Sequence, residues 1–140
     1  MTETTTSPTM ARLAARGLKA VDRYVEFWNA ETPGEQRRTA DAAFAEDVCS
    51  HVLLGVWRGV GQLIAFRDEF AKRVPGFEFR PRTAPDAHRD RARLPWEVVV
   101  GEKRIAAGTD VLVLDETGRI ASVTGFVDEF PEGFDPDNHH

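Results

Sequence analysis

Asp110 is the residue whose setting first suggests chemistry. It lies inside an apolar strand, and alternation puts Ala106, Gly108, Leu112 and Leu114 on its side of the chain. A carboxylate on such a face either opens into a cavity, where it can hold and move a proton, or hydrogen-bonds to a neighbouring strand to offset the cost of burial. The small residues just before it leave room for a ligand. His51 is a second titratable candidate, able to act as acid or base near neutral pH, although a lone histidine on a short strand also serves structure. His88 precedes Arg89-Asp90 at the head of a long strand, on the side of Leu94 and Trp96, where exposure at a strand end is the plainer reading. Tyr24 falls on the apolar stripe of a helix, as a core tyrosine with its hydroxyl satisfied at the rim does. Trp28, Trp57 and Trp96 are candidates for the wall of a substrate pocket and equally for ordinary core.

Other chemistries find little footing. No HExxH cluster or phosphate-binding glycine loop is present, and no metal site is expected. The one cysteine, Cys49, excludes an internal disulfide and reads as core. A formal charge of -5 argues against nucleic acid as a partner. The arginines at positions 80, 82, 89, 91 and 93 read as a solvated strand face before they read as an anion site, and no aromatic interleaves them. No apolar run reaches the length of a membrane helix, and the Thr-rich opening lacks the segments of a signal peptide. A soluble protein of the cytoplasm, with no membrane partner, is the expectation.

The elements that must position these residues follow from periodicity. Leu18, Val21, Tyr24, Val25 and Trp28 recur at helical spacing within a first helix from about Ala11 to Ala30. Thr32-Pro33-Gly34-Glu35 combines a cap, a proline at the first helical position and a glutamate three residues after the cap, which starts a second helix running to about Ala45. A short extended piece follows at 48–54. A third helix begins after Gly59, carries Leu63, Phe66, Phe70 and Val74 on one side, and stops at Pro75-Gly76. From Phe77 the period becomes strand-like: a strand at Phe77–Arg80, a longer one through Leu94, Trp96, Val98 and Val100, a third ending at Leu114, and a last from Arg119 to about Phe130. Asp115 to Gly118 forms the hairpin loop between the last two, with glycine at the left-handed position. At 140 residues this is one domain. Residues 1–10 are expected as a flexible N-terminus, 11–130 as the domain, and 131–140 as a flexible acidic tail in which His139 and His140 are tail residues or a tag remnant. Helices first and an antiparallel meander afterwards make an α+β fold, with a strongly curved sheet wrapped around the long helix and a concave interior for a small ligand.

Three stretches carry a family resemblance. Arg23-Tyr24-Val25-Glu26-Phe27-Trp28-Asn29-Ala30 resembles the end of the first helix of SnoaL-like proteins of the nuclear transport factor 2-like superfamily. Phe44-Ala45-Glu46-Asp47-Val48, with His51, Gly55 and Trp57-Arg58-Gly59, resembles their passage into the third helix. The run from Gly108-Thr109-Asp110-Val111 through Leu114-Asp115 and Gly118-Arg119-Ile120 to Gly125-Phe126 resembles their terminal hairpin. The resemblance implies a cone of three helices and a curved four- to six-stranded sheet, commonly dimeric. The superfamily holds isomerases, polyketide cyclases, dehydratases, epoxide hydrolases and non-catalytic binders, so the site must decide the function.

In ketosteroid isomerase, a member of that superfamily, a helix-one tyrosine and a protonated mid-strand aspartate donate hydrogen bonds to a developing oxyanion. Tyr24 and Asp110 fall where that pair falls. That enzyme's general-base aspartate falls near Val52, which cannot take a proton, and His51 is the nearest titratable group. The resemblance thus implies a cofactor-independent enzyme acting by acid/base chemistry on a hydrophobic small molecule. Asp110, Tyr24 and His51 would be catalytic, and Trp28, Trp57, Trp96 and His88 would contact substrate. The alternative is a non-catalytic binding or dimerisation domain of the same fold. A homodimer through the outer sheet face, with Glu97 and Val99 exposed on it, is the expected assembly.

Overall fold

The computed structural model describes residues 7–133. His139 and His140, the first six residues and most of the expected tail lie outside the described residues. The first helix, α1 (Pro8–Asn29), starts earlier than its apolar stripe suggests. Ser7 caps it by accepting from the Met10 amide, and Pro8 takes a first-turn position where its missing N–H costs nothing, so 8–10 are helical rather than a flexible lead-in. The buried stripe is Gly17, Ala20, Val21, Tyr24 and Phe27. It is rotated from the one expected: Leu18 is exposed, and Val25 and Trp28 are half-buried.

Thr32 caps α2 (Pro33–Ala43) as its sequence predicts, its hydroxyl accepting from the Glu35 amide. The chain then passes directly into β1 (Phe44–Val52), which begins sooner than the extended piece expected from 48. A tight turn leads to β2 (Gly55–Arg58) and α3 (Gly59–Arg73). Next come β3 (Phe77–Pro81), a three-residue β4 (Asp86–His88), β5 (Arg91–Val100), β6 (Lys103–Leu114) and β7 (Ile120–Glu129). Asp115 organises the β6–β7 loop by accepting from the Thr117 amide and hydroxyl and the Arg119 amide, with Gly118 at φ 88°.

The strands form one sheet in the order β2-β1-β7-β6-β5-β3, with β4 paired to β5. Every pairing is antiparallel except β1 with β7. Register shifts leave Ile105 of β6 unpaired opposite Val98/Val99, and Asp128 and Ala121 of β7 unpaired opposite Ala107/Gly108 and Val113/Leu114; such bulges bend a sheet and sharpen its twist. The curved sheet closes around α1, whose Phe27 is fully buried. Asn29 fixes the end of that helix to β3. Its amide donates to the Phe79 carbonyl at 2.7 Å, and its carbonyl accepts from the Phe79 amide at 2.8 Å, as a neighbouring strand would. Arg67, buried in α3, donates to the Trp28 carbonyl at 3.1 Å and supplies a partner for a free carbonyl in the last turn of α1.

The outer sheet face differs from expectation in two residues. Val99 is buried rather than exposed. Glu97 is largely covered, bridged by Arg80 at 2.8 Å and Arg104 at 2.9 Å. The arginine-rich stretch is mostly ion-paired as well, with Arg93 gripping Asp86 through two 3.0 Å bonds and Arg82 reaching Asp128. Among the described residues no helix is long and apolar enough to cross a membrane.

Candidate active site

The concave face of the sheet, α1 and α3 enclose a cavity of about 350 Å³. Its wall is aromatic and aliphatic, with Phe27, Trp28, Phe66, Phe70, Phe79 and Trp96 prominent. The rings lock one another in place: Trp28 stacks on Phe79 at 5.5 Å and meets Phe66 and Phe70 edge-on. Leu53, Leu54 and Phe126 are exposed and mark the mouth.

Asp110 sits at the floor of this cavity and is buried. Alternation in β6 turns it inward, and its cross-strand partner in β7 is Gly125. A Cβ on Gly125 would stand 2.7 Å from Asp110 Oδ1 and 2.9 Å from Val52 Cγ1, so the absent side chain is what admits the carboxylate. Tyr24 donates its hydroxyl to Asp110 Oδ2 at 2.6 Å, and Trp96 donates its indole N–H to Oδ1 at 2.8 Å. Trp96 can reach because its ring lies over Gly108, the residue paired with it across the strands.

The electrostatics follow from this arrangement. Burial pushes the Asp110 pKa up from 3.8 to about 6, and the two donated hydrogen bonds pull against that rise. Burial, then the adjacent carboxylate, hold the Tyr24 phenol well above its ordinary 10. Near pH 7 Asp110 is therefore mostly ionised while Tyr24 keeps its proton. An ionised carboxylate with one donor on each oxygen is an acceptor, the posture of a base, rather than the protonated donor that the resemblance implied.

The structure brings together Asp110, Tyr24, Trp28 and Trp96, all of which line the cavity. It does not bring in the others. His51 is exposed on the outer face of β1, because strand alternation turns Ser50 and Val52 inward and Cys49 and His51 outward. Cys49 is accordingly half-buried on that outer face, its Sγ 3.7 Å from His51 Nδ1, and not a core residue. His88 is exposed on β4, opposite Arg91. Trp57 stands one layer back, its ring stacked on Phe66 at 3.9 Å. Val52 lines the cavity, at the place where the resemblance put an absent base.

Ser50 was not singled out from the sequence. It is 4% exposed, lines the cavity, and its hydroxyl makes no hydrogen bond among the described residues. The indole N–H of Trp28 is likewise buried, with the Tyr24 hydroxyl near it but no well-formed hydrogen bond. The alternation that points Val52 inward would have pointed to Ser50. Nothing local could have shown that Gly108 and Gly125 clear the floor, since each does so for a residue on another strand. Among the described residues no three His, Cys, Asp or Glu side chains gather in a way that could hold a metal ion.

No family model and no curated protein sequence matches this chain. Solved structures do. A SnoaL-like family protein of Agrobacterium tumefaciens str. C58, assigned as an isomerase, superposes with a TM-score of 0.76 at 29% identity, over 81% of this chain and 98% of that one. A SnoaL-like protein of Jannaschia sp. CCS1, assigned as a polyketide cyclase, gives 0.70 at 15% identity over 90% and 92%. An LEH-like epoxide hydrolase of M. tuberculosis shares the fold, at 0.59 and 17% identity over 82% and 84%. A three-helix cone with one buried carboxylate in an apolar pocket is the class that fold and site define. The chain has the fold of, and resembles, the SnoaL-like proteins of the nuclear transport factor 2-like superfamily.

Proposed function

We propose that this protein is a cofactor-independent enzyme that moves a proton on a hydrophobic small molecule, with Asp110 as the base. The observation that carries this reading is a buried carboxylate with a pKa of about 6, oriented by two donors at the floor of an apolar cavity. A base is most effective when its pKa lies near the working pH, and a water-poor wall keeps the proton from being lost to solvent. Asp110 would take a proton from carbon next to a carbonyl and return it elsewhere on the same skeleton. Tyr24 and Trp96 hold the carboxylate and stabilise its ionised form. The Ser50 hydroxyl is free to receive the substrate oxygen, whose negative charge grows as the proton leaves.

One carboxylate that takes and returns the same proton suffices for an isomerase or an aldol-type cyclase. Opening an epoxide with water calls for a base and a separate acid, and Asp110 is the single carboxylate among the described residues of the cavity wall. This favours isomerisation or cyclisation over hydrolysis. The similarity to the protein assigned as an isomerase points the same way. A homodimer in a reducing cytoplasm completes the proposal. The exposed Val56, paired with the outward His51 on the outer sheet face, supplies an apolar contact for a second copy.

The test is solvent-deuterium incorporation into a panel of hydrophobic cyclic ketones and enones, comparing wild type with Asp110→Asn across pH. The expected result is exchange by wild type that falls by about 10²–10⁴-fold in the variant while affinity is retained. Equal exchange in both proteins at every pH removes Asp110 from the mechanism. The second reading, a binding domain, draws on the way Tyr24, Asp110 and Trp96 satisfy one another. It predicts affinity without exchange in either protein.

A further inference from the structure

We infer that the ligand is an organic anion, an apolar ring-sized body carrying one acidic group, which enters body first and leaves its anionic end at Arg73. This rests on the proposed function in taking the cavity as the ligand site. Among the described residues two charged side chains line that cavity, the buried Asp110 and the exposed Arg73. One is buried and the other open to solvent, with the rest of the described wall uncharged, so the cavity is bipolar.

Arg73 is placed there by helix geometry. Leu63, Phe66, Phe70 and Arg73 follow one another at three- and four-residue spacing along α3, and all four line the cavity. The apolar face that walls the pocket therefore ends in a guanidinium in the last helical turn. That side chain is 77% exposed, and its one ion pair among the described residues, to Glu69, is long at 3.8 Å. Its head is thus free to bind an incoming anion while its stem lies along the apolar wall. Asp110 fixes the polarity of entry. Ionised and buried, it repels any anion brought to the floor, and the apolar wall screens that repulsion less than bulk water would. An acidic group can be accommodated only at the open end, where the protein's overall charge of -5 makes a local cation necessary. Selection is then for apolar acids over neutral molecules with the same body.

The test uses two fluorescent probes with the same aromatic body, 1-anilinonaphthalene-8-sulfonate and the uncharged N-phenyl-1-naphthylamine. Wild type is expected to bind both, each displacing the other. Arg73→Gln should weaken the sulfonate by about fivefold, the range of one partly exposed ion pair, and leave the amine unchanged. Glu69→Gln releases Arg73 and should tighten the sulfonate alone, an outcome that damage to the fold cannot mimic. Added salt should weaken the sulfonate alone. Sulfonate affinity that is unchanged in Arg73→Gln, or a sulfonate that the amine cannot displace, overturns the inference. If wild type binds neither probe, the cavity is not a ligand site and the parent reading falls with it. Loss of proton exchange in Asp110→Asn without any probe difference in Arg73→Gln overturns this inference and leaves the proposed function standing.

Discussion

The indole of Trp96 lies over Gly108, its partner across the β5–β6 ladder, and this contact carries Nε1 to 2.8 Å from Asp110. A Cβ on Gly108 would stand 2.4 Å from Trp96 Cζ2 and 2.2 Å from the Phe126 carbonyl oxygen. The Phe126 carbonyl is backbone and cannot rotate away, and the Trp96 ring can yield only by leaving its place over Gly108. Gly108→Ala is expected to cost about 1–3 kcal/mol and to displace the Trp96 hydrogen bond. Urea denaturation and tryptophan fluorescence measure the two effects, and an unaltered spectrum would refute the second.

Asp110 makes stability depend on pH in a definite direction. Its folded pKa of about 6 lies above the 3.8 of the free side chain, so the folded protein binds this proton more tightly than the unfolded chain does. The resulting stabilisation is full below about pH 4 and is lost as pH rises through about 6, a change of about 3 kcal/mol. Asp110→Asn removes it, because the amide is neutral and can donate to the Tyr24 oxygen while its carbonyl accepts from Trp96. The difference in unfolding free energy between variant and wild type should therefore grow in the variant's favour between pH 4 and pH 7. A difference independent of pH would mean that the carboxylate is not desolvated.

Tyr24→Phe leaves Asp110 Oδ2 without its donor. The ionised carboxylate is then less favoured, and its pKa should rise above about 6. The acid limb of the rate profile should move to higher pH by about one unit, with a stability loss of about 1–3 kcal/mol at neutral pH. Loss of rate with an unmoved limb would instead assign Tyr24 a direct part in the chemistry.

Ser50→Ala separates a working hydroxyl from a structural one. The side chain is buried and bonds to no described residue, so its removal should leave stability within about 0.5 kcal/mol of wild type. A substrate oxygen that used this hydroxyl would lose it, and kcat/KM should fall about tenfold. A clear loss of stability would show that the hydroxyl is engaged in folding.

Asp110 was legible because alternation acts over a few residues and needs no knowledge of the partner strand. The Thr32 cap, the stop at Pro75-Gly76 and the Gly118 loop were legible for the same reason: each is a local solution to a local geometric demand. His51 was drawn in by its chemistry, although the alternation that exposes it was already implied by an inward Val52. The stripe of α1 was misplaced by about one residue because Gly17 and Ala20, too small to register as apolar anchors, are what let the helix approach the sheet. Val99 keeps the face that alternation gives it, beside Glu97, but is buried there by tertiary contacts that no local pattern announces. β4 has three residues and no pattern, and its pairing depends on Arg89 at φ 49°. Bipolarity of the cavity was beyond reach, since Arg73 and Asp110 belong to different elements and share only the space between them.

The position of β7 in the sheet has a consequence for synthesis. It lies between β1 and β6, and it supplies Gly125 beneath Asp110. Until it emerges from the ribosome, the β2-β1 pair and the β6-β5-β3 group have no strand to join them. Each half then presents an open edge to the crowded cell, a template for pairing with the wrong chain. The segment that completes the floor of the cavity is thus the one that closes the two inner edges, so pairing protection and a finished pocket arrive in the same step.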